Sequence, residues 1–346
     1  MAIAGLMITG SAGFIGINML KFIKEIHDFD FVLSIDKMGY ATKYNASLFR
    51  EIGITPTSGV HNMECDINDV SKLKSMCDIT KDWWASDWTI LDFASDSHVD
   101  NSISNPSSLY NENCSIPSNL LAWMGKDEWK NINHYYHIST DEVYGDIPLE
   151  EKNDKRRYFA PFHSLNPSNP YSASKVAQDM YLTAMYKTFS IPVTIIRMAN
   201  QFGLHQHPEK MIPASILRAL RGETIKIYGE GKNCRQWTFV DDTVQAIWNI
   251  MRGMERQVFY APNVIQLADE NNLIDNNELI NKLVISLKRY NIEAKIEYIN
   301  DRPGHDLMYA MKISDEDKQF FKTPFGEALD KTVDFYVEGF RNGLFT

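Results

Sequence analysis

From Ile3 onward, short apolar runs alternate with longer stretches whose apolar residues recur every three or four positions. "IAGLMIT", "FVLSID", "WTILDFAS", "NHYYHIST" and "VTIIRMAN" have the length and the β-branched or aromatic content of strands. "GFIGINMLKFIKEI" and "ASKVAQDMYLTAMYKTF" carry apolar residues at helical spacing, and a further helix is expected around Asn113–Met124. "ALDKTVDFYVEGF" near the C-terminus has the pattern of an amphipathic helix packed on the protein and not on a membrane. Strands alternating with helices up to about Asn200 predict βαβ units and a parallel sheet, after which the pattern is richer in turns. "GDIPLEEKNDKRRYFAPFHSLNPSNP", from Gly145 to Pro170, is charged and holds four of the thirteen prolines, so it is expected to be a lid or a surface loop.

The first strand runs straight into "TGSAGFIG", which puts Gly10, Gly13 and Gly16 at the start of the first helix together with Phe14 and Ile15. Glycines there permit a tight turn and close approach of a pyrophosphate to backbone N–H groups, where the helix dipole favours negative charge. "FVLSID" ends in Asp36 about twenty residues on, where a carboxylate can bind the adenosine ribose hydroxyls and disfavours a 2′-phosphate. NAD is therefore expected over NADP, with Lys37 next in line pulling the other way. The fold class expected is α/β: a Rossmann-type doubly wound parallel sheet, residues 1–203 with 236–262 returning to it, and a smaller C-terminal substrate-binding domain over 204–346.

With 346 residues, 44% of them hydrophobic, the chain is long enough for a large core and two domains. Its net charge of −10 comes without a basic block, which argues against nucleic acid as a partner. Cys65, Cys77, Cys114 and Cys234 are scattered and form no CxxC pair, so neither a zinc site nor a disulfide framework is expected, and a cytoplasmic setting fits. No apolar run approaches the length of a membrane span, and the N-terminus lacks a basic leader. His134 and His137, like His205 and His207, read as core and loop histidines, and no metal is expected.

Two motifs carry chemistry. In "NPYSASKVAQDM", Tyr171 and Lys175 stand four apart at the start of a helix and share a face. An ammonium beside a phenol is expected to lower the phenol's pKa, so that it exchanges a proton with a hydroxyl near neutral pH. In "HISTDEVYGD", Asp141 and Glu142 follow a strand end; taken alone, an adjacent acid pair is a solvated turn.

The order of "TGSAGFIG", "IDKMGYA", "SHVDNSI", "ISTDEVYGD", "NPYSASK", "ANQFG", "PEKMIP", "IYGEG", "RQWTFVDD" and "DRPGHDLMYA" resembles that of extended short-chain dehydrogenases/reductases, specifically nucleotide-sugar 4,6-dehydratases acting on dTDP- or UDP-glucose. The likeness spans Ile3 to about Val337. It implies bound NAD, a lyase reaction giving a 4-keto-6-deoxy sugar nucleotide, and a homodimer through a helical face. It also implies a role for the acid pair. Oxidation at C4 of the hexose makes the C5 proton acidic; Glu142 would remove it while Asp141 protonates the departing C6 hydroxyl, Thr140 holding the C4 hydroxyl beside Tyr171. The same resemblance assigns Asp66, Ile67, Ser95 and Asn113 to the cofactor. To the nucleotide sugar it assigns Asn200, Lys210, Met211, Ile225, Tyr228, Arg235, Asn272, Arg302 and His305, the arginines serving the diphosphate. This chain departs from the family at Asp96, where Glu is usual, at Glu112, where Thr is usual, and at Asp269 and Glu270, which replace glycines; "RRYFAPFHSL" is also unlike the family's text, and is expected to be mobile until the sugar binds. Two other readings stay open on sequence: a nucleotide-sugar 4-epimerase, which would not need Asp141 and Glu142, and a catalytically silent NAD-binding protein.

Overall fold

The computed structural model describes residues 3–26, 29–53, 59–80, 87–253, 262–301 and 304–345. In chain order the strands are β1 Ile3–Thr9, β2 Phe29–Asp36, β3 Val60–Glu64, β4 Trp88–Asp92, β5 Ile132–Thr140, β6 Val193–Met198, β7 Asn200–Phe202, β8 Thr224–Tyr228, β9 Cys234–Phe239, β10 Asn263–Leu267, β11 Leu273–Asp275 and β12 Lys295–Ile299. The helices are α1 Phe14–Ile26, α2 Ala46–Gly53, α3 Val70–Thr80, α4 Val99–Ser104, α5 Pro106–Met124, α6 Pro170–Phe189, α7 Met211–Leu220, α8 Val240–Arg252, α9 Asn276–Leu287, α10 Asp315–Lys318 and α11 Phe325–Arg341.

Contacts divide the chain into two units: Met1–Val143, Leu165–Arg197 and Gly253–Ile265 form one, and Tyr144–Ser164, Met198–Arg252 and Gln266–Thr346 the other. These boundaries differ from the expected 203 and 236–262: Tyr144–Ser164 and all of Met198–Arg252 belong to the second unit, and only Gly253–Ile265 returns to the first. The first unit is built on a seven-stranded sheet in the order β10-β6-β5-β4-β1-β2-β3. β1 pairs in parallel with β2 and with β4, and β2–β3 and β4–β5 are parallel too. Leu6, Met7 and Ile8 of β1 are completely buried, as a central strand covered on both faces requires. The chain reverses direction across the sheet at β1 and β4, the place where such sheets leave a crevice at their carboxyl ends.

"VTIIRMAN" is not one strand. β6 stops at Met198, Ala199 N donates to Leu267 O, and β7 joins a different, three-stranded sheet, β11-β9-β7, in the second unit. That unit also holds the parallel pair β8–β12. The Gly145–Pro170 stretch is tied down over its first half rather than loose. Ile147 N donates to Met308 O, Phe159 exchanges backbone bonds with Ala310 and Lys312, and Tyr144 stacks on Phe159 with centroids 4.9 Å apart. Ile147 and Tyr158 are buried with Cys234, Met308 and Ala310 in one cluster. Apolar anchors thus override a charged, proline-rich composition that by itself suggests disorder. Phe162 beyond them is 76% exposed.

Candidate active site

The glycine turn has the shape a dinucleotide needs. Gly10 has φ of +60°, and a Cβ there would lie 2.8 Å from the Phe93 carbonyl and the Ala94 nitrogen. A Cβ at Gly16 would run into the Gly10 carbonyl, so α1 can pass this close only without a side chain. Phe14 and Ile15 open α1 half-buried. Asp36, 5% exposed, accepts from Ala12 N at 2.9 Å and from Met38 N at 2.8 Å. Burial raises its pKa, against those backbone donors. Lys37 turns away to an exposed ion pair with Glu112 at 3.3 Å. Asp66 accepts from Asn68 N, and Ile67 is buried. Asn113, fully buried, clasps Asp96 through both its N–H and its carbonyl and donates to Ser174 of α6, while Ser95 donates to the Asp96 carbonyl. The glycine cradle and Asp36 fit a dinucleotide whose ribose hydroxyls approach a carboxylate.

At the end of β5 the backbone folds into a short 3-10 turn, Asp141–Tyr144, that points consecutive side chains to different places. Thr140 donates to Asp141 Oδ1 at 3.2 Å, and Glu142 N donates back to Thr140 Oγ1 at 3.3 Å. Asn169 Nδ2 donates to Glu142 Oε2 at 3.1 Å. The same Asn169 caps α6, accepting from Ser172 N in a capping box, with Pro170 at the first position. One residue therefore starts the helix that carries Tyr171 and Lys175 and also holds Glu142. Asn169 was not among the residues singled out from sequence, although Asn-Pro ahead of a helical run is a legible cap.

Tyr171 is buried, and Thr140 is near enough to act on its phenol. Its pKa is raised, first by burial and then by the charges of Glu142, Asp141 and Asp96. Lys175, 2% exposed, is lowered to about 8, burial outweighing the pull of Asp92, Asp179 and Cys114. Its amine donates to Gln178 Oε1 at 2.6 Å. The expected depression of the phenol by its neighbouring ammonium is thus reversed: protein carboxylates dominate around Tyr171, and the lysine is turned toward Gln178.

The residues expected to meet the nucleotide sugar belong to the second unit. Asn200 opens β7, and Lys210 and Met211 stand half-buried at the start of α7. Ile225 is fully buried, whereas Tyr228 is 37% exposed and lies edge-on to His305. Arg235 is 7% exposed; it donates to the carbonyls of Cys234, Leu307 and Asp306 and stacks on Tyr309. Asn272 donates to Asp269 at 2.7 Å, and His305 contacts Asp301 at 2.6 Å. Arg302 lies outside the described residues. Glu270, where the family has glycine, accepts from Ile313 N and pairs with Lys155. Among the described residues no group of three or more His, Cys, Asp or Glu side chains is placed to hold one metal ion, and no helix is long and apolar enough to cross a membrane.

The dTDP-glucose 4,6-dehydratase of Haemophilus influenzae is 32% identical, with 96% of this chain and 97% of that protein aligned. An Escherichia coli protein of the same name is 31% identical over 96% of this chain and 92% of its own. Among solved structures, the dTDP-glucose 4,6-dehydratase DesIV of Streptomyces venezuelae, with NAD bound, superposes with a TM-score of 0.82 at 29% identity, covering 98% of this chain and 99% of its own. The model of the NAD dependent epimerase/dehydratase family matches residues 6–261, and the chain belongs to that family.

Proposed function

We propose that this protein is an NAD-dependent nucleotide-sugar 4,6-dehydratase, converting dTDP-glucose or UDP-glucose to the 4-keto-6-deoxy sugar nucleotide. The observation that carries it is the acid pair at the end of β5, with Glu142 held by Asn169 and Thr140 hydrogen-bonded to Asp141 and to the Glu142 backbone, and the charges of both acids acting on the buried Tyr171. NAD supplies, when bound, a hydride acceptor at C4 and a donor at C6; Gly10, Gly13, Phe14, Ile15, Gly16, Asp36, Lys37, Asp66, Ile67 and Ser95 would hold it. Tyr171 takes the proton of the C4 hydroxyl, which Thr140 aligns. Its raised pKa means the phenol ionises only when positive charge is brought close, so Lys175 must be an ammonium during this step. Glu142 then removes the C5 proton, now alpha to a carbonyl, and Asp141 protonates the departing C6 oxygen. Two neighbouring carboxyls resist being ionised together, which fits one acting as base and the other as acid.

The diphosphate is assigned to Lys210, Arg235, Arg302 and His305, and the sugar and base to Asn200, Met211, Ile225, Tyr228 and Asn272. The proposal includes a homodimer, supported by Tyr110, Met180 and Phe189, which are 40%, 47% and 42% exposed on the mutually packed α5 and α6. It also includes a cytoplasmic setting, supported by the free thiols Cys65, Cys114 and Cys234. Light scattering on the purified protein tests the dimer. The activity is tested by incubation with dTDP-glucose and, separately, UDP-glucose. Loss of one water with NAD unconsumed is expected, and the two rates measure base discrimination. An unchanged mass with inversion at C4 would make the protein an epimerase, and no change with either sugar would return the silent reading.

A further inference from the structure

Behind Lys175, four strands and two helices bring together charges that the reaction above does not use. Asp92, at the end of β4, is 1% exposed; it accepts from Thr9 Oγ1 at 2.5 Å and Tyr135 OH at 2.7 Å, and faces His137 Nδ1 at 3.4 Å. On the other side of the same imidazole, His137 Nε2 lies 3.6 Å from Asp179 Oδ1, and neither atom has a hydrogen-bond partner among the described residues. The second oxygen of Asp179 receives Arg197 of β6 through Nε at 3.1 Å and Nη2 at 2.9 Å. His137 and Asp179 are completely buried. Lys175 and Asp179 are one turn apart on α6, on the face that meets these strands.

We propose that Asp92, His137 and Asp179 are a positioning set for Lys175: two fixed carboxylates, separated by one neutral imidazole, keep its buried amine an ammonium.

The count of charge supports this. Arg197 and Lys175 are positive, Asp92 and Asp179 negative, and the set is neutral only with an uncharged His137. Burial acts to raise the Asp92 carboxyl, but the hydrogen bonds it accepts from His137 and Thr9 and the positive charge around it outweigh burial and lower it. His137 is lowered by burial and by Lys175. A neutral imidazole donates from one nitrogen only, which fits the shorter contact to Asp92 and the unbonded facing of Asp179. The groups acting on Lys175 are Asp92 from β4, His137 from β5, Cys114 from α5 and Asp179 from its own helix. From α4, which also packs on α6, Asp100 lies outside the described side chains. An amine buried to this degree loses its proton readily unless nearby carboxylates oppose the loss. With them, Lys175 is a cation at neutral pH, as ionising Tyr171 requires.

The inference rests on the proposed dehydratase only for its purpose, and its test does not depend on turnover. Lysine carrying 13C at Cε is incorporated, and the Lys175 resonance is identified by its loss in Lys175→Met. In the wild-type protein its midpoint is expected close to 8. Asp92→Asn is expected to lower that midpoint by about one unit or more, moving the alkaline limb of turnover equally, and Asp92→Glu to restore it. His137→Gln, neutral for neutral, is expected to hold it within about half a unit. The proposal is overturned if Asp92→Asn leaves the midpoint unmoved, or if His137→Gln shifts it as far as Asp92→Asn does. A wild-type midpoint below about 7 overturns it too, and needs no variant to fold. Absence of sugar turnover in the wild type would sink the dehydratase reading while leaving this titration to be judged by itself.

Discussion

Asn169 and Arg235 are both buried polar side chains, and the contrast between them separates the two units. Asn169 is bonded to a carboxylate expected to do chemistry, and its partners lie within a few residues of a helix start or a strand end. Arg235 directs three hydrogen bonds at carbonyls of its own unit and stacks on Tyr309, and Asn272 and His305 are likewise paired with Asp269 and Asp301. The groups proposed to react in the first unit are therefore held by short local links that exist before any ligand arrives. The polar groups expected around the nucleotide already have protein partners, which a diphosphate would have to replace or share. Preorganisation at the bond-making end keeps reorganisation out of the chemical steps; exchange of partners at the binding end trades affinity for release.

The largest effects should fall on the preorganised side. Tyr171→Phe removes the only group proposed to take the C4 proton, and Glu142→Gln the base at C5; each is expected to lower turnover by about 10²–10⁴-fold in steady-state assays. The two differ in how they fail. Tyr171→Phe should abolish transfer of deuterium from C4 to the cofactor, whereas Glu142→Gln should leave C4 oxidation measurable while stopping release of water. If Glu142→Gln turns over normally, the first unit loses its claim to be an elimination site. Gly16→Ala should come next. Its Cβ meets backbone that no side-chain rotation can relieve, so a loss of about 2–4 kcal/mol in unfolding free energy, with weaker NAD binding, is expected from denaturant titration.

What was legible in the sequence follows the same division. β1, its glycine turn, β5 and α6 announce themselves because their signals are local: apolar runs, glycines at fixed spacing, Asn-Pro before a helix. The break at Ala199 was not legible, since "VTIIRMAN" is uniformly strand-like and only the pull of two different sheets ends β6 at Met198. The anchoring of Ile147 and Tyr158 was hidden by the surrounding charges, because their partners Met308 and Ala310 lie far along the chain. The set around His137 was hidden for the same reason: Asp92, His137 and Asp179 come from three elements, and nothing in "HYYHIST" distinguishes a histidine between two carboxylates from one in a plain core. The rise in the Tyr171 pKa depends on three acids converging on one phenol, which a YxxxK spacing does not reveal.

A pH dependence distinguishes the buried strands of the first unit from its exposed surface. His134 is 7% exposed, its Nε2 lies 2.8 Å from Thr194 Oγ1, and burial lowers its pKa to about 4. A histidine depressed in the folded state leaves the unfolded chain holding more protons at mildly acidic pH. Its contribution is therefore complete above the unfolded value near 6.5 and is lost as pH falls toward about 4. The full loss is about 3 kcal/mol. Urea unfolding of wild type and His134→Gln at several pH values should show the difference between the two curves shrinking as the medium is acidified. A difference independent of pH would mean that His134 titrates in the folded protein as it does in the unfolded chain.

The smallest effect bears most directly on the comparison of the two units. Arg235→Lys keeps the charge but replaces a planar fork with a single ammonium, which cannot serve the Cys234, Leu307 and Asp306 carbonyls together. Leaving buried carbonyls without a donor costs about 1–2 kcal/mol, so ligand-free protein should melt a few degrees lower. If Arg235 also shares its charge with a diphosphate, KM for the nucleotide sugar should rise while kcat stays near wild type, because that contact is the same in ground and transition states. A lowered melting temperature with unchanged KM would make Arg235 purely a brace for the segment before Tyr309. A raised KM with unchanged melting would reverse the contrast drawn above, since the arginine would then be held for the ligand and not by the protein.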